Sequence, residues 1–180
     1  LDRVRSAPGT VESRLTSRIS AEVSGQVEAV PYKVGNPVNK GDTLVRLDDS
    51  SLQAQMSVAS AALQAAEARV KEARQNFQRI RNLYQQNSAS EQQMDKATAG
   101  LDRAEAQRSQ AQAEIRKLRI RLDKTTIKAP VNGVVVDTHI EEGELAQPGA
   151  PLITVLDPKR LRFTARVQES RIPELMGDGK

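Results

Sequence analysis

The sequence predicts an α+β protein in which a β-sandwich is assembled from two separated halves, with a long antiparallel α-helical hairpin inserted between them. Two observations predict this fold class: an internal repeat with a spacing of 108 residues, and a heptad pattern of apolar residues in the segment between the copies. Hydrophobic residues make up only 38% of the chain and aromatic residues 2%. That is thin for one deep core but normal for paired helices, which bury only the stripe along which they meet.

The repeat aligns residues 19–47 with residues 127–155 without a gap. Three glycines and seven apolar positions agree between the copies, and in the first copy they are Ile19, Ala21, Val23, Gly25, Val27, Gly35, Gly41, Leu44, Val45 and Leu47. Alternating valine-rich runs between Gly, Asn and Pro are typical of short β-strands joined by tight turns. One copy is too short to bury its apolar face, so the two copies are expected to pack together as one small sandwich or flattened barrel.

The segment between the copies has apolar residues in alternating steps of three and four, which is heptad spacing. The first arm has Leu52, Met56, Ala59, Leu63, Ala66, Val70, Ala73, Phe77, Ile80 and Tyr84, and the second has Met94, Ala97, Leu101, Ala104, Ala111, Ile115, Leu118 and Leu122. The pattern is interrupted over residues 85–91, where Ser90 can cap the second helix. Arms of roughly 35 to 38 residues, each about 50 to 57 Å long, predict an antiparallel coiled-coil hairpin.

Arg108 stands in the stripe of the second arm, where an apolar residue is expected. Two interpretations remain open. The long side chain can extend out of a narrow, alanine-rich stripe toward Glu67 on the facing arm, or it can fix the register of the two arms.

The two ends of the chain are expected to form a third, incomplete module. Residues 161–167 alternate as a strand, residues 169–175 fit a short helical turn, and Val11 and Leu15 can supply a strand from the other end. The predicted organisation is a partial β-barrel domain from residues 1–16 and 158–180, a β-sandwich from residues 17–49 and 125–157, and the hairpin from residues 50–124.

A split repeat interrupted by an antiparallel coiled coil resembles the periplasmic adaptor family, also called membrane fusion proteins, of tripartite efflux pumps and type I secretion systems. The likeness covers residues 21–48, the hairpin and residues 128–157, and residues 162–172 resemble the opening of the family's β-barrel domain. It implies that the β-sandwich is lipoyl-like, a fold called a barrel-sandwich hybrid. It also implies a protein of the periplasm, anchored to the inner membrane by a segment missing from this sequence.

A narrower match lies at the predicted tip of the hairpin. Arg79, Leu83 and Ser90 have the spacing of the family's Arg, Leu and Ser triplet, which engages the helical tips of a TolC-like outer-membrane channel. From Ala73 to Ser90 the chain has three arginines, many amides and no acidic residue. The resemblance therefore implies a channel at the tip, an inner-membrane transporter as the second partner, and a ring of adaptors, with a hexamer expected.

The transporter that the resemblance favours is a proton-driven drug exporter of the RND class. An ABC-type exporter or a type I secretion system is the alternative, and the length of the hairpin does not separate them. A metal-efflux adaptor is less favoured, because three Met and one His supply few soft metal ligands.

The sequence predicts no enzyme and no catalytic, cofactor-binding or metal-binding residues. A lipoyl or biotinyl carrier subunit would need its modified lysine on the turn between the two halves, where this chain has Asp48 and then the hairpin. The local sequence around Lys96 resembles an attachment sequence for such a group, but Lys96 lies within the heptad pattern of the second arm. His139 is the only histidine, and no ligand spacing surrounds it. Nucleic acid is not an expected partner, because 27 basic residues are interspersed with 23 acidic ones and the aromatic residues are scattered.

Overall fold

The structure is a computed structural model that describes residues 9–13, 16–157 and 161–165, with side chains described for residues 16–157. In chain order the elements are β1 (Gly9–Ser13), β2 (Thr16–Ser20), β3 (Gly25–Ala29), β4 (Pro37–Val38), β5 (Thr43–Leu47), α1 (Ser50–Gln85), α2 (Glu91–Asp123), β6 (Thr126–Lys128), β7 (Gly133–Thr138), β8 (Leu145–Ala146), β9 (Pro151–Leu156) and β10 (Leu161–Ala165). The chain divides into a β unit and a helical unit, with boundaries after Arg46 and after Thr126.

The β unit contains two four-stranded sheets, and each sheet takes strands from both halves of the repeat. Their strand orders are β2-β9-β7-β4 and β6-β5-β3-β8. Moving every strand to its counterpart 108 residues away converts one order into the other. The two copies therefore interleave into one structure with internal two-fold likeness, and the prediction that they pack together is confirmed.

Hydrogen bonds between the halves repeat in the same way. The amide of Gly35 donates to the carbonyl oxygen of Val135 at 2.8 Å, and the amide of Gly143 donates to that of Val27 at 2.9 Å. Gly35 has a φ of +92° and Gly143 a φ of +89°, in the left-handed region that glycine adopts without steric cost. Glycine recurs in the repeat at these positions because the backbone turns the same way in both copies.

The core of the β unit is built from matched pairs of side chains. Its most buried residues include the repeat counterparts Val27 and Val135, Leu44 and Leu152, and Val45 and Ile153. Full burial of such a side chain contributes roughly 1.5 to 3 kcal/mol. Gly133 serves this packing differently, because a Cβ atom there would lie 2.2 Å from the carbonyl oxygen of Leu156 on the neighbouring strand.

Strands from the two ends of the described chain pair with each other. β1 and β10 form an antiparallel two-stranded sheet with Gly9 opposite Ala165 and Ser13 opposite Leu161. The predicted strand at residues 161–167 is thus found over Leu161–Ala165, and Val11 lies on its partner. Leu15 and the helical turn predicted for residues 169–175 lie outside the described residues.

The helical unit consists of α1 and α2, which run antiparallel and are called the helix pair below. Arg74 Nη2 donates to Glu105 Oε1 at 2.8 Å, and Arg69 Nη1 donates to Gln107 Oε1 at 3.5 Å. The residue with the lower number on α1 thus faces the residue with the higher number on α2, as in an antiparallel pair. The predicted stripe is buried or partly buried along both helices except at Tyr84, whose exposure is 43%. Tyr84 lies in the last turn of α1, where the stripe ends and no further pair of stripe residues covers the ring.

The stripe accommodates Arg108 imperfectly. Arg108 is partly buried, and its Nε atom is fully buried without a hydrogen-bond partner among the described residues. The contact toward Glu67 is therefore not made through this atom. Neither helix, nor any other within the described ranges, is long and apolar enough to span a membrane.

Candidate docking site at the tip of the helix pair

The tip comprises the last turns of α1, the connection over residues 86–90 and the first turn of α2. α1 ends in a Schellman motif: the amide of Ser88 donates to the carbonyl of Leu83 at 2.8 Å, and the amide of Asn87 to that of Tyr84 at 3.0 Å. Asn87 has a φ of +56°, a left-handed conformation that Asn tolerates better than most residues. These two hydrogen bonds end α1 at a defined place, after Gln85.

α2 begins with a capping box, which confirms the predicted role of Ser90 as its N-cap. Ser90 Oγ accepts from the amide of Gln93 at 3.3 Å, and Gln93 Oε1 accepts from the amide of Ser90 at 2.8 Å. Glu91 adds a negative charge in the first turn, where the helix dipole favours it. A five-residue connection held at both ends gives the tip a defined backbone.

Arg79 and Leu83 lie one helical turn apart on the exposed face of α1 and line the same shallow, open groove, called the tip groove. Its volume is about 510 Å³ and its lining residues are Gln75, Gln78, Arg79, Asn82, Leu83 and Gln86. Arg79 Nη2 donates to Asn76 Oδ1 at 2.7 Å on the same helix, which steadies the guanidinium, and the side chain is exposed. Leu83 is 37% exposed although it is apolar. The groove offers donors, acceptors and one apolar contact.

Ser90 is exposed at the start of α2 and does not line the tip groove. Its oxygen already accepts a hydrogen bond within the capping box, which leaves the hydroxyl hydrogen as the free donor. The structure therefore brings together two of the three predicted site residues and gives the third a local structural contact.

Sequence reasoning missed several residues of this surface. The amide residues of the tip groove recur every three or four positions on the side of α1 turned away from the stripe, and Tyr84 is exposed rather than packed. The three-four spacing of Gln75, Gln78, Asn82 and Gln86 is the signal that could have found the groove. Polar residues at this spacing mark the face of a helix that lies opposite its apolar stripe.

Other residues weighed from the sequence have ordinary surroundings. Lys96 is exposed within α2. His139 Nε2 lies 3.1 Å from Thr154 Oγ1, and its Nδ1 lies 3.6 Å from Asp137 Oδ2. Asp48 Oδ1 accepts from the amide of Ser50 at 2.9 Å, and hydrogen bonds from Ser50 lower the pKa of this carboxyl. The described residues contain no cluster of three or more His, Cys, Asp or Glu that could hold a metal ion.

Comparison with known proteins gives the family. A family model described as CzcB-like, barrel-sandwich hybrid domain matches residues 15–157. The crystal structure of MacA from Actinobacillus actinomycetemcomitans is 27% identical with a TM-score of 0.59, and the match covers 93% of this chain and 57% of that chain. The chain thus spans little more than half of that relative. No curated protein sequence matches this chain.

Two further structures show the same fold at lower identity. ZneB from Cupriavidus metallidurans is 23% identical with a TM-score of 0.62, over 93% of this chain and 72% of that chain. The membrane fusion protein Spr0693 from Streptococcus pneumoniae R6 is 21% identical with a TM-score of 0.66, over 92% and 69%. The family match and the interleaved repeat agree, and the chain belongs to the CzcB-like barrel-sandwich hybrid family of membrane fusion proteins, the periplasmic adaptors that its sequence resembles.

Proposed function

We propose that this protein links an inner-membrane transporter to a TolC-like outer-membrane channel in a tripartite efflux pump, with an RND drug exporter as the transporter. The observation that carries the proposal is the tip groove, where Arg79 and Leu83 are exposed together on a defined turn. Leu83 keeps 37% of its surface exposed at the end of a long helix, and a docking partner would cover that apolar surface.

The chemistry of the tip suits a helical partner with exposed carbonyl or carboxylate groups. Arg79 presents a planar fork of donors, the groove amides can donate and accept, and Leu83 adds an apolar contact. Between Ala73 and Ser90 the chain has three arginines and no acidic residue, and the acidic residue of the tip is Glu91 in the first turn of α2. Each hydrogen bond contributes only about 0.5 to 3 kcal/mol, the larger values applying to bonds of Arg79, so several copies of the adaptor, six in the arrangement we propose, act together on one channel.

The remaining parts of the chain have matching roles in this proposal. The helix pair works as a coiled-coil hairpin, spanning residues 50–124, that carries the tip to the channel. Residues 17–49 and 125–157 form the lipoyl-like domain, and residues 1–16 and 158–180 belong to a β-barrel domain, a role supported by the pairing of β1 with β10. The protein works in the periplasm, held at the inner membrane by an anchor outside this sequence.

The direct test is Leu83→Asp in a strain that depends on this adaptor for export. The aspartate removes the one apolar contact of the groove and can pair with Arg79 one helical turn away, which takes that guanidinium from the partner, so export should be lost while expression, helix content and binding to the inner transporter are retained. Ala106→Asp, which puts the same charge on an exposed position of α2 away from the tip, is the matched control and should export normally. Full export by the Leu83 variant would show that the tip does not dock.

The class of transporter is tested separately. Affinity purification of the tagged adaptor from inner membranes, followed by mass spectrometry, identifies the transporter that binds it. An RND protein supports the proposal. An ABC transporter would overturn the RND class in this proposal and leave the assignment of the tip as the docking site unchanged.

A further inference from the structure

The last turns of α2 expose a dense group of positive charges. Within residues 115–122 there are four exposed basic side chains and no acidic one, and the four are Arg116, Lys117, Arg119 and Arg121. Glu114 neutralises Lys117 at 3.2 Å. The side chains of the three arginines form no ion pair and no hydrogen bond within residues 16–157, so their charges are left uncompensated there.

The facing helix supplies no carboxylate at this level. Arg74 faces Glu105 across the pair, and residues 115–122 lie ten to seventeen positions after Glu105. The positions equally far before Arg74 are residues 57–64, which are level with them because both helices rise equally per residue. α1 has no charged residue from Ser50 to Ala66. The arginines of α2 therefore cannot be neutralised across the helix pair.

An apolar residue lies in the middle of these charges. Ile120 is 59% exposed, although its neighbour Leu118 is buried in the stripe between the helices. With 3.6 residues per turn, Arg116 lies about one turn before Ile120, and Arg119 and Arg121 lie on opposite sides of it. Ile120 and the four basic residues around it are called the basic patch.

We propose that the basic patch binds an acidic amphipathic helix of a partner protein, a contact that goes beyond the proposed function because it lies away from the tip. An apolar side chain of that helix covers Ile120, and carboxylates on both sides of it pair with the arginines. Basic residues about one turn apart match carboxylates with the same spacing on a facing helix. The planar guanidinium suits this role, because it binds a carboxylate through two parallel hydrogen bonds.

The arrangement favours a helix over other anionic partners. Arg119 and Arg121 lie on opposite sides of Ile120, so they cannot converge on one small anion such as phosphate. One exposed isoleucine is too little apolar surface for insertion into a membrane. α2 contains no aromatic residue that could stack on a nucleic-acid base.

A second copy of this chain does not offer a matching helix. The other exposed large apolar side chains in the described part of the helices are Val58, Leu83 and Tyr84. Val58 lies in the uncharged stretch of α1, and no acidic residue occurs between Ala73 and Ser90 around the other two. None of them is flanked by carboxylates, so the partner is a different protein.

Binding of a designed peptide tests the chemistry of the basic patch. The probe is an alanine-based helical peptide with one leucine and with glutamates one turn before and one turn after it, and the control peptide has glutamine for each glutamate. Fluorescence anisotropy with the whole chain should show the glutamate peptide binding about tenfold or more tightly, with a smaller difference at high salt. Equal binding of the two peptides would overturn the proposal.

Variants of the chain locate the contact. Arg116→Glu and Arg121→Glu should each weaken binding of the glutamate peptide about tenfold or more, Ile120→Gln should weaken it about threefold or more, and Arg116→Gln should give a smaller loss than Arg116→Glu. Lys71→Glu, the same reversal of charge at an exposed position of α1, is the matched control and should weaken binding less than about twofold. Circular dichroism checks that every variant keeps its helix content. An equal loss with the Lys71 variant would overturn the proposal, because net charge and not the basic patch would then attract the peptide.

Competing anions test the choice of a helix. Vesicles of phosphatidylglycerol and phosphatidylcholine should not displace the glutamate peptide, and neither should inorganic phosphate at matched ionic strength. Displacement by the vesicles would overturn the proposal in favour of a lipid surface. Displacement by phosphate would overturn it in favour of a small anion.

Crosslinking in cells identifies the partner. A photoreactive amino acid at Ile120 should form a covalent product with a different protein, and mass spectrometry should place the attachment on a helix with acidic residues one turn away on both sides. Arg116→Glu should remove this product, and the same photoreactive amino acid at exposed Gln64, level with the basic patch on α1, should not form it. A product with a second copy of this chain, an attachment site without acidic neighbours, or no product at all would overturn the proposal.

Discussion

The amide of Gly35 donates a hydrogen bond to the carbonyl oxygen of Val135, one hundred residues later in the chain, at 2.8 Å. The reverse connection exists between Gly143 and Val27 at 2.9 Å, so each half of the repeat supplies a donor to the other. Both bonds lie beside buried valines. Neither half can satisfy these backbone groups or cover its core alone.

The first prediction concerns independence of the β unit. With residues 52–122 replaced by a short Gly/Ser linker, the two halves should still fold and unfold cooperatively, because their cross-bonds and matched core are intact. Circular dichroism and urea denaturation measure this. Residues 16–49 alone, the control, should be unfolded; an unfolded linked protein would contradict the interleaved account.

The second prediction compares two glycines. Gly133→Ala should destabilise the β unit by about 1 to 3 kcal/mol, because the new Cβ meets the Leu156 carbonyl and neither strand can yield without shifting the sheet. Gly100→Ala, in the middle of α2 with nothing within 4 Å of the added carbon, should stabilise the helical unit by about 0.5 to 1 kcal/mol. Denaturation followed separately by a signal from the β unit and a signal from the helices distinguishes the two variants. Equal changes in stability for both variants would refute the close approach of Gly133 to the Leu156 carbonyl.

The third prediction separates the two roles of Ser90. Ser90→Ala should lower the stability of the helical unit by about 1 kcal/mol through loss of the capping box, whereas Ser90→Asp keeps an N-cap acceptor and should be nearly neutral. If docking also uses the Ser90 hydroxyl donor, the aspartate variant should fold normally and export poorly. Normal export by that variant would limit Ser90 to capping.

The fourth prediction concerns Arg108. Arg108→Leu should raise the stability of the helical unit by about 1 to 2 kcal/mol, because it removes a buried Nε without a partner and adds apolar contact in the stripe. Arg103→Leu, at an exposed position of the same helix, should change stability by no more than about 0.5 kcal/mol. A less stable Arg108 variant, or one with doubled backbone resonances, would support the register-fixing interpretation instead.

Local periodicity explains what the sequence could predict. The repeat and the stripe depend on spacing along the chain, so Gly35, Gly143 and the buried alanines of the helix pair were predictable. Sheet order was not, because the bond from Gly35 to Val135 depends on which strands meet across a long separation. The exposure of Tyr84 and the unpartnered Nε of Arg108 also escaped, since both are set by what lies opposite the side chain and not by its heptad position.

At the tip the limit has the same origin. Arg79 and Leu83 were predicted together with Ser90 from the resemblance to the family's triplet, and the first two share one groove because four residues make about one helical turn. Ser90 matched the same pattern, yet its distance from the groove follows from the Schellman motif and the capping box, which set the path of residues 86–90. A linear motif that crosses a turn does not define one surface.

The most direct measurement of docking is photo-crosslinking from the tip in living cells. A photoreactive amino acid at Leu83, or at Gln78 in the same groove, should form a covalent product with the outer-membrane channel, and the same amino acid at exposed Gln64 or Ala106 should not. Deleting the channel gene should remove the product. Crosslinks to the channel from Gln64 and Ala106 but not from Leu83 and Gln78 would contradict the account, because the channel would then bind the sides of the helix pair and not its tip.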